Sequence, residues 1–169
     1  MNDKKIRRLV TSALMASLTF VATMVIRIPT PTSGYVNPGD CFVLLSGWLL
    51  GPWWGGAAAG IGSMLTDLLA GYTLYVPGTF LIKGLDALAA ALLFRVMGRT
   101  TPAAVVSGVV GEAIMVGGYF VYEAVYCRYG LAAIAGVPGN LVQGAVGLAV
   151  GLLLLKLFHK AHIADRISA

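Results

Sequence analysis

Apolar positions along this chain fall in long, nearly unbroken runs rather than in alternation. Residues 9–26, 80–97 and 141–158 are each close to the ~20 residues that a helix needs to cross a hydrocarbon core. A spanning segment must satisfy its own backbone hydrogen bonds, and the lack of period-2 alternation favours helices over a barrel. The pattern predicts a first span over 6–28, stopped by Pro29 and Pro31. Residues 29–40, rich in Pro, Gly and Asn, read as an outer loop. A second span over 41–54 returns inward, and Pro52 with Gly55 and Gly56 turns the chain into a third that ends near Gly71. An outer loop over 72–79, a fourth span over 80–97, an inner loop over 98–102 and a fifth span over 103–126 follow. A last outer loop over 127–138 leads to a sixth span through Phe158. The expected fold is an all-α membrane protein of six transmembrane helices with both termini cytoplasmic. Residues 1–169 are expected to form a single integral membrane domain.

Composition supports the bilayer as solvent. Hydrophobic residues make up 58% of the 169 positions and charged residues 11%, against about 45–50% and about 25% in a soluble domain. The net charge of +5 does not point to nucleic acid, because the basic residues sit at span ends. Lys4, Lys5, Arg7 and Arg8 precede the first span, Arg95 and Arg99 close the fourth, and Lys156, Lys160 and Arg166 close the last. Such clusters mark the cytoplasmic side. The basic start with its long apolar run reads as a retained helix rather than a cleaved signal peptide. Small residues spaced four apart, among them Gly47, Gly51, Gly55 and Gly147, Gly151, suit close helix packing in lipid.

Cys41 and Cys127 lack metal-ligand spacing and read as packing residues. Phosphate-loop, HExxH and GxSxG patterns are absent, and His159 and His162 fall in the expected tail, so an enzyme has no support and no power source lies in this chain. The informative residues are ionisable groups inside spans, which are costly and point to function: Asp67, Lys83, Asp86, Glu112 and Glu123. Lys83 and Asp86, three apart, are spaced to pair with each other. Glu112, Tyr119 and Glu123 share one helix face, which turns either to a ligand cavity or to neighbouring helices. All seven tyrosines, Tyr35, Tyr72, Tyr75, Tyr119, Tyr122, Tyr126 and Tyr129, fall in the outer half, whereas Trp53 and Trp54 lie at the inner turn. Aromatic walls with a few fixed polar groups describe a small-molecule pocket. Asn140 and Gln143 either cap the sixth helix or line the same pocket. The candidate substrate-binding set is therefore Asn37, Tyr75, Lys83, Glu112, Tyr119, Glu123, Asn140 and Gln143, with Asn37 and Asp40 on a closing outer loop.

The stretches 34–40 (GYVNPGD), 60–67 (GIGSMLTD), Gly71-Tyr72, Lys83-Gly84-Leu85 and Pro138-Gly139-Asn140, in this order and spacing, resemble the substrate-binding S components of energy-coupling factor (ECF) vitamin transporters, in particular the riboflavin-type branch. The resemblance covers nearly the whole chain. It implies a multi-pass protein of the cell membrane that binds a B-group vitamin or precursor near the outer face. It also implies partners, namely a membrane coupling subunit and two cytoplasmic ATPase subunits that carry ATP; no cofactor is expected on this chain. Small residues of the first helix, Ser12 and Ala16 or Ala13 and Ser17, would dock the coupling subunit. Riboflavin-type members resemble one another in an Asn-x-x-Lys at the start of the last helix, and here Gln143 follows Asn140. That departure shifts the expected cargo toward a pyridoxine-type vitamin or hydroxymethylpyrimidine, with riboflavin behind them. An ion-coupled secondary transporter and a non-transporting membrane scaffold stand as alternatives.

Overall fold

The computed structural model describes residues 3–161, with side chains from residue 5. Arg166 and His162, considered above, lie outside that range. Six helices run in order: α1 (Asp3–Val25), α2 (Asp40–Leu50), α3 (Pro52–Ala70), α4 (Val76–Val96), α5 (Thr101–Val121) and α6 (Val137–Lys160). A π-helical turn (Tyr122–Tyr126) extends α5, and a 3-10 turn (Gly130–Gly136) leads into α6. The chain is thus an all-α membrane fold, and Lys5–Val25, Thr101–Tyr126 and Gly130–Lys160 are each long and apolar enough to cross a bilayer.

Helix ends follow local chemistry. Gly51 takes φ +82 and Pro52 occupies the first turn of α3, so α2 and α3 join through a single residue. The expected turn at Pro52–Gly56 therefore moves back to Gly51, and Trp53 and Trp54 belong to α3. Gly71, at φ +85, closes α3 in the left-handed conformation that favours glycine, and its N–H bonds back to Asp67 O. Thr100 caps α5 by accepting from Ala103 N at 3.3 Å. His159 lies in the last turn of α6 rather than in a tail.

The expected outer loop is partly ordered. β1 (Ile28–Pro29) and β2 (Tyr35–Val36) pair antiparallel, Ile28 with Val36 and Pro29 with Tyr35. The first helix consequently stops at Val25, before the predicted end at 28.

Short α2 forms the centre and is buried from Asp40 through Leu49 except for Phe42. Leu44, Leu45 and Trp48 pack there against Met15, Phe94, Ala104 and Leu155 from the surrounding helices. The Trp48 indole donates to Ser107 Oγ at 3.0 Å, so the one polar atom of that core residue is satisfied. Glycine sets the helix spacing. A Cβ at Gly60 would lie 2.7 Å from Phe80 O, one at Gly56 3.0 Å from Gly84 O and one at Gly55 2.5 Å from Ser46 O, so the backbones of α2, α3 and α4 meet where a side chain is missing. Large apolar side chains such as Val10, Leu14 and Val21 on α1 and Leu141, Leu153 and Leu157 on α6 are exposed. Lipid tails, not water, are the fitting neighbours of these faces.

Candidate functional site

The β1–β2 hairpin roofs one end of the bundle. Its turn is held by Thr30 N to Gly34 O (2.9 Å) and Ser33 N to Thr30 O (3.2 Å), with Ser33 at φ 60. Four hydrogen bonds pin this roof to separate elements. Tyr35 OH donates to Asp67 Oδ1 on α3 (2.5 Å), and Tyr75 OH, just before α4, donates to Thr32 O (2.6 Å). Thr32 Oγ1 donates to Glu123 Oε1 on the π-turn (2.8 Å), and Asn37 N donates to Gln143 Oε1 on α6 (2.7 Å). Burial, then the neighbouring Asp67 carboxylate, holds the Tyr35 phenol well above its ordinary range, so it remains a donor.

Beneath the roof lies a cavity with about 30 Å³ unfilled, room for about two water molecules. Tyr35, Tyr75 and Tyr119 supply aromatic wall, and Asn37, Asn140, Gln143, Lys83, Ser63, Asp67 and Glu123 supply polar wall. Tyr119 OH and Thr79 Oγ1 share a hydrogen bond of 3.0 Å. Lys83 Nζ lies 5.5 Å from the Tyr119 ring centroid, within cation–π range. Three buried polar atoms of lining residues have no hydrogen-bond partner: Asp67 Oδ2, Glu123 Oε2 and Ser63 Oγ. Two of them are carboxylate oxygens. Buried acceptors left unpaired are costly, and a ligand N–H or O–H would satisfy them.

The floor is a buried network. Lys83 forms an ion pair with Asp40, the only ion pair among the described residues. Gln143 Nε2 donates to the other Asp40 oxygen at 2.8 Å, while Gln143 Oε1 accepts from Asn37 in the roof. One amide therefore bridges floor and roof. The local pairing that spacing allowed for Lys83 with Asp86 does not form; Asp86 is fully buried and its oxygens have no hydrogen-bond partner. Asp40 is not a loop residue but the first residue of α2, and it makes no cap hydrogen bond. Nor does Asn140 cap α6, which starts three residues earlier; its side chain lines the cavity.

Of the eight candidate substrate-binding residues, Asn37, Tyr75, Lys83, Tyr119, Glu123, Asn140 and Gln143 line this one cavity. Glu112 does not. Its carboxylate sits below the floor against α6, where a Cβ at Gly144 or Gly147 would approach it to 3.0 Å. Sequence reasoning undervalued Asp67 and Tyr35 and overlooked Ser63 and Thr79. Asp67 carried a usable signal as an acid inside a span, but its partner Tyr35 is 32 residues away, beyond any local spacing rule.

At α1, Ser12, Ala13, Ala16 and Ser17 line an apolar groove of about 550 Å³ against α3, with Ala57, Ile61 and Leu65 opposite. Cys41 and Cys127 are free thiols.

A roofed polar cavity at one end of a lipid-facing helical bundle defines a membrane protein built to hold a small solute. The chain belongs to the ECF-type riboflavin transporter S component family, whose pattern it matches over residues 3–160. It is 28% identical over 167 residues to the thiamine precursor transporter HmpT of Lactococcus lactis subsp. cremoris, covering 98% of this chain and 95% of that one. It is 37% identical over 134 residues to an uncharacterized protein in the gap 3' region of Pyrococcus woesei, covering 78% of this chain and 87% of that protein. Among solved structures, the S component of a bacterial ECF transporter superimposes with a TM-score of 0.72 at 21% identity, over 92% of this chain and 97% of that chain. The last likeness shows the fold. Family membership makes this chain an integral membrane S component for vitamin uptake, in place of the secondary-transporter and scaffold alternatives.

Proposed function

We propose that the roofed cavity captures a single-ring B-group vitamin precursor, hydroxymethylpyrimidine first and a pyridoxine-type vitamin second, for uptake driven by partner subunits. The observation that carries this reading is the set of unpaired buried polar atoms on Asp67, Glu123 and Ser63, three residues that line one tyrosine-walled cavity. An aminopyrimidine offers an exocyclic amine and a hydroxymethyl group as donors, with a flat ring for Tyr75 and Tyr119. In this reading the amide of Asn140, which lines the cavity, meets a ring nitrogen. Riboflavin presents a three-ring system whose polar edge is mainly carbonyl and ring-nitrogen acceptors. That edge complements carboxylates poorly; with room for about two waters the cavity has to widen beneath the roof for either ligand, and less for one ring than for three. The likeness to a thiamine precursor transporter points the same way.

In this reading the S component carries no cofactor. ATP binds on two cytoplasmic ATPases, and the groove lined by Ser12, Ala13, Ala16 and Ser17 receives the membrane coupling subunit. Both termini are cytoplasmic, because the basic ends of α1, α4 and α6 share the face opposite the cavity. The whole chain acts as one domain.

The test is mass spectrometry of small molecules released from the purified protein, followed by calorimetric titration with hydroxymethylpyrimidine, pyridoxine and riboflavin. A released or tightly bound hydroxymethylpyrimidine is the expected result. Recovery of riboflavin alone, with no binding of either single-ring compound, refutes the assignment.

A further inference from the structure

At the end of the bundle opposite the cavity, a cleft of about 290 Å³ opens between the start of α1, the α2–α3 turn and the end of α4. Arg8 enters it from α1, Arg95 from the last turn of α4, and Arg99 from the turn after α4. Three arginines from three places in the chain thus line one space. Among the described residues none has a carboxylate partner, the only ion pair there being Lys83 with Asp40 at the other end. Arg99 is held there at φ 55, directly after Gly98 at φ +82. That is a backbone conformation non-glycine residues adopt rarely, which makes the placement of this cation a built feature of the turn.

The other walls fit the same ligand. Trp53 and Trp54 border the cleft, and Trp53 is 79% exposed, as indoles are at the headgroup level of a membrane. Leu49 and Leu50 supply apolar lining. The first amides of α3, at Trp53 and Trp54, precede its first backbone hydrogen bond from Gly55 N to Gly51 O (2.9 Å), so the helix adds a positive end to the cleft.

We propose that this cleft binds the phosphate headgroup of an anionic phospholipid from the leaflet on that side. Guanidinium forks match phosphate oxygens in geometry and charge. Basic pockets between spans at the cytoplasmic surface are where such headgroups are held. A lipid, rather than a soluble anion, fits because the phosphate-binding groups stand beside exposed indoles at the ends of lipid-facing helices. Trp54 also lines the α1–α3 groove, so a bound lipid would sit at one end of the surface assigned above to the coupling subunit. The lipid site itself does not depend on that assignment or on the identity of the vitamin.

The experiment is native mass spectrometry and thermal unfolding of the purified full chain in neutral detergent doped with palmitoyl-oleoyl phosphatidylglycerol, with the phosphatidylcholine analogue or with inorganic phosphate. Phosphatidylglycerol should bind as discrete adducts and raise the unfolding temperature above that in phosphatidylcholine, and inorganic phosphate at the same concentration should not. Each of Arg8→Gln, Arg95→Gln and Arg99→Gln should weaken phosphatidylglycerol binding about fivefold. Paired Lys156→Gln and Lys160→Gln substitutions, which remove two charges from α6 outside the cleft, should leave the adducts intact. Equal adducts from both lipids, an equal shift from inorganic phosphate, or undiminished binding by all three arginine variants would each overturn the proposal.

Discussion

Replacing Gln143 probes the link between roof and floor. Its side chain amide accepts from Asn37 N at 2.7 Å and donates to Asp40 at 2.8 Å, so Gln143→Ala leaves one backbone donor in the roof and one carboxylate oxygen in the floor without a partner. A hydrogen bond to a charged group contributes about 1.5–3 kcal/mol and a neutral one about 0.5–1.5 kcal/mol. Water entering the vacated space recovers part of that loss. Asp40 also keeps its pairing with Lys83, so the net cost is set at about 2 kcal/mol, equivalent to ~30-fold in an equilibrium constant. The loss should appear chiefly in ligand affinity, because a ligand needs the roof closed over it. Calorimetric titration in detergent with hydroxymethylpyrimidine measures it, alongside hydrogen exchange of residues 30–39, which should become faster in the variant. Gln143→Met fills similar volume without either hydrogen bond and should behave like Gln143→Ala. Binding by both variants within about twofold of wild type, with unchanged exchange in the roof, would refute the bridging role.

Two further outcomes follow from the helix contacts. Gly60→Ala places a methyl group 2.7 Å from the Phe80 carbonyl oxygen; the overpacking should cost about 1–3 kcal/mol, read as a thermal midpoint several degrees lower with α3 and α4 pushed apart. Ala16→Leu projects into the α1–α3 groove and should reduce recovery of the coupling subunit in affinity purification while calorimetry still shows wild-type vitamin binding; normal complex formation would remove the groove from the docking surface.

The fold was legible because lipid imposes simple demands. Long apolar runs, Pro29 after the first run, the Gly51-Pro52 step and the Pro138 start of α6 are local signals, and each lies at or within a few residues of an element boundary. The tyrosines and intramembrane acids likewise pointed to one end of the bundle. What could not be read is the pairing of those groups. Spacing offered Asp86 to Lys83, but the lysine turns to Asp40, 43 residues away in sequence. Helix-face logic put Glu112 with Tyr119 and Glu123. Tyr119 and Glu123 do line the cavity, whereas Glu112, seven residues before Tyr119 on α5, lies ~10 Å deeper along the helix axis. The roof was missed as structure because two-residue strands leave almost no periodic trace, and their stability comes from side chains such as Thr32 and Tyr35 bonding to distant helices.

The length of α2 explains why the chain has a cavity inside its membrane-spanning thickness. Its 11 residues rise ~16 Å at 1.5 Å each, about half of the ~30 Å hydrocarbon core. Its inner end is fixed at Gly51, where the chain turns directly into α3. Its outer end, Asp40, therefore falls well below the outer surface. Lys83 is seven residues into α4 and Gln143 six into α6, so both reach Asp40 from ~10 Å inside their helices. A full-length second helix would fill the space above that level with side chains. Instead the chain from Ile26 to Gly39 descends as a hairpin to meet α2, and the remaining depth becomes the tyrosine-walled cavity. Ending a helix in mid-membrane exposes its first N–H groups, a cost that water would cover at a surface. Here the preceding chain covers part of it: Asn37 Oδ1 accepts from Gly39 N at 2.8 Å, and Gly39 O accepts from Phe42 N at 2.9 Å. Roof, floor and cavity are thus consequences of one short helix, and Gln143 is the residue that touches both the helix and the hairpin that completes it.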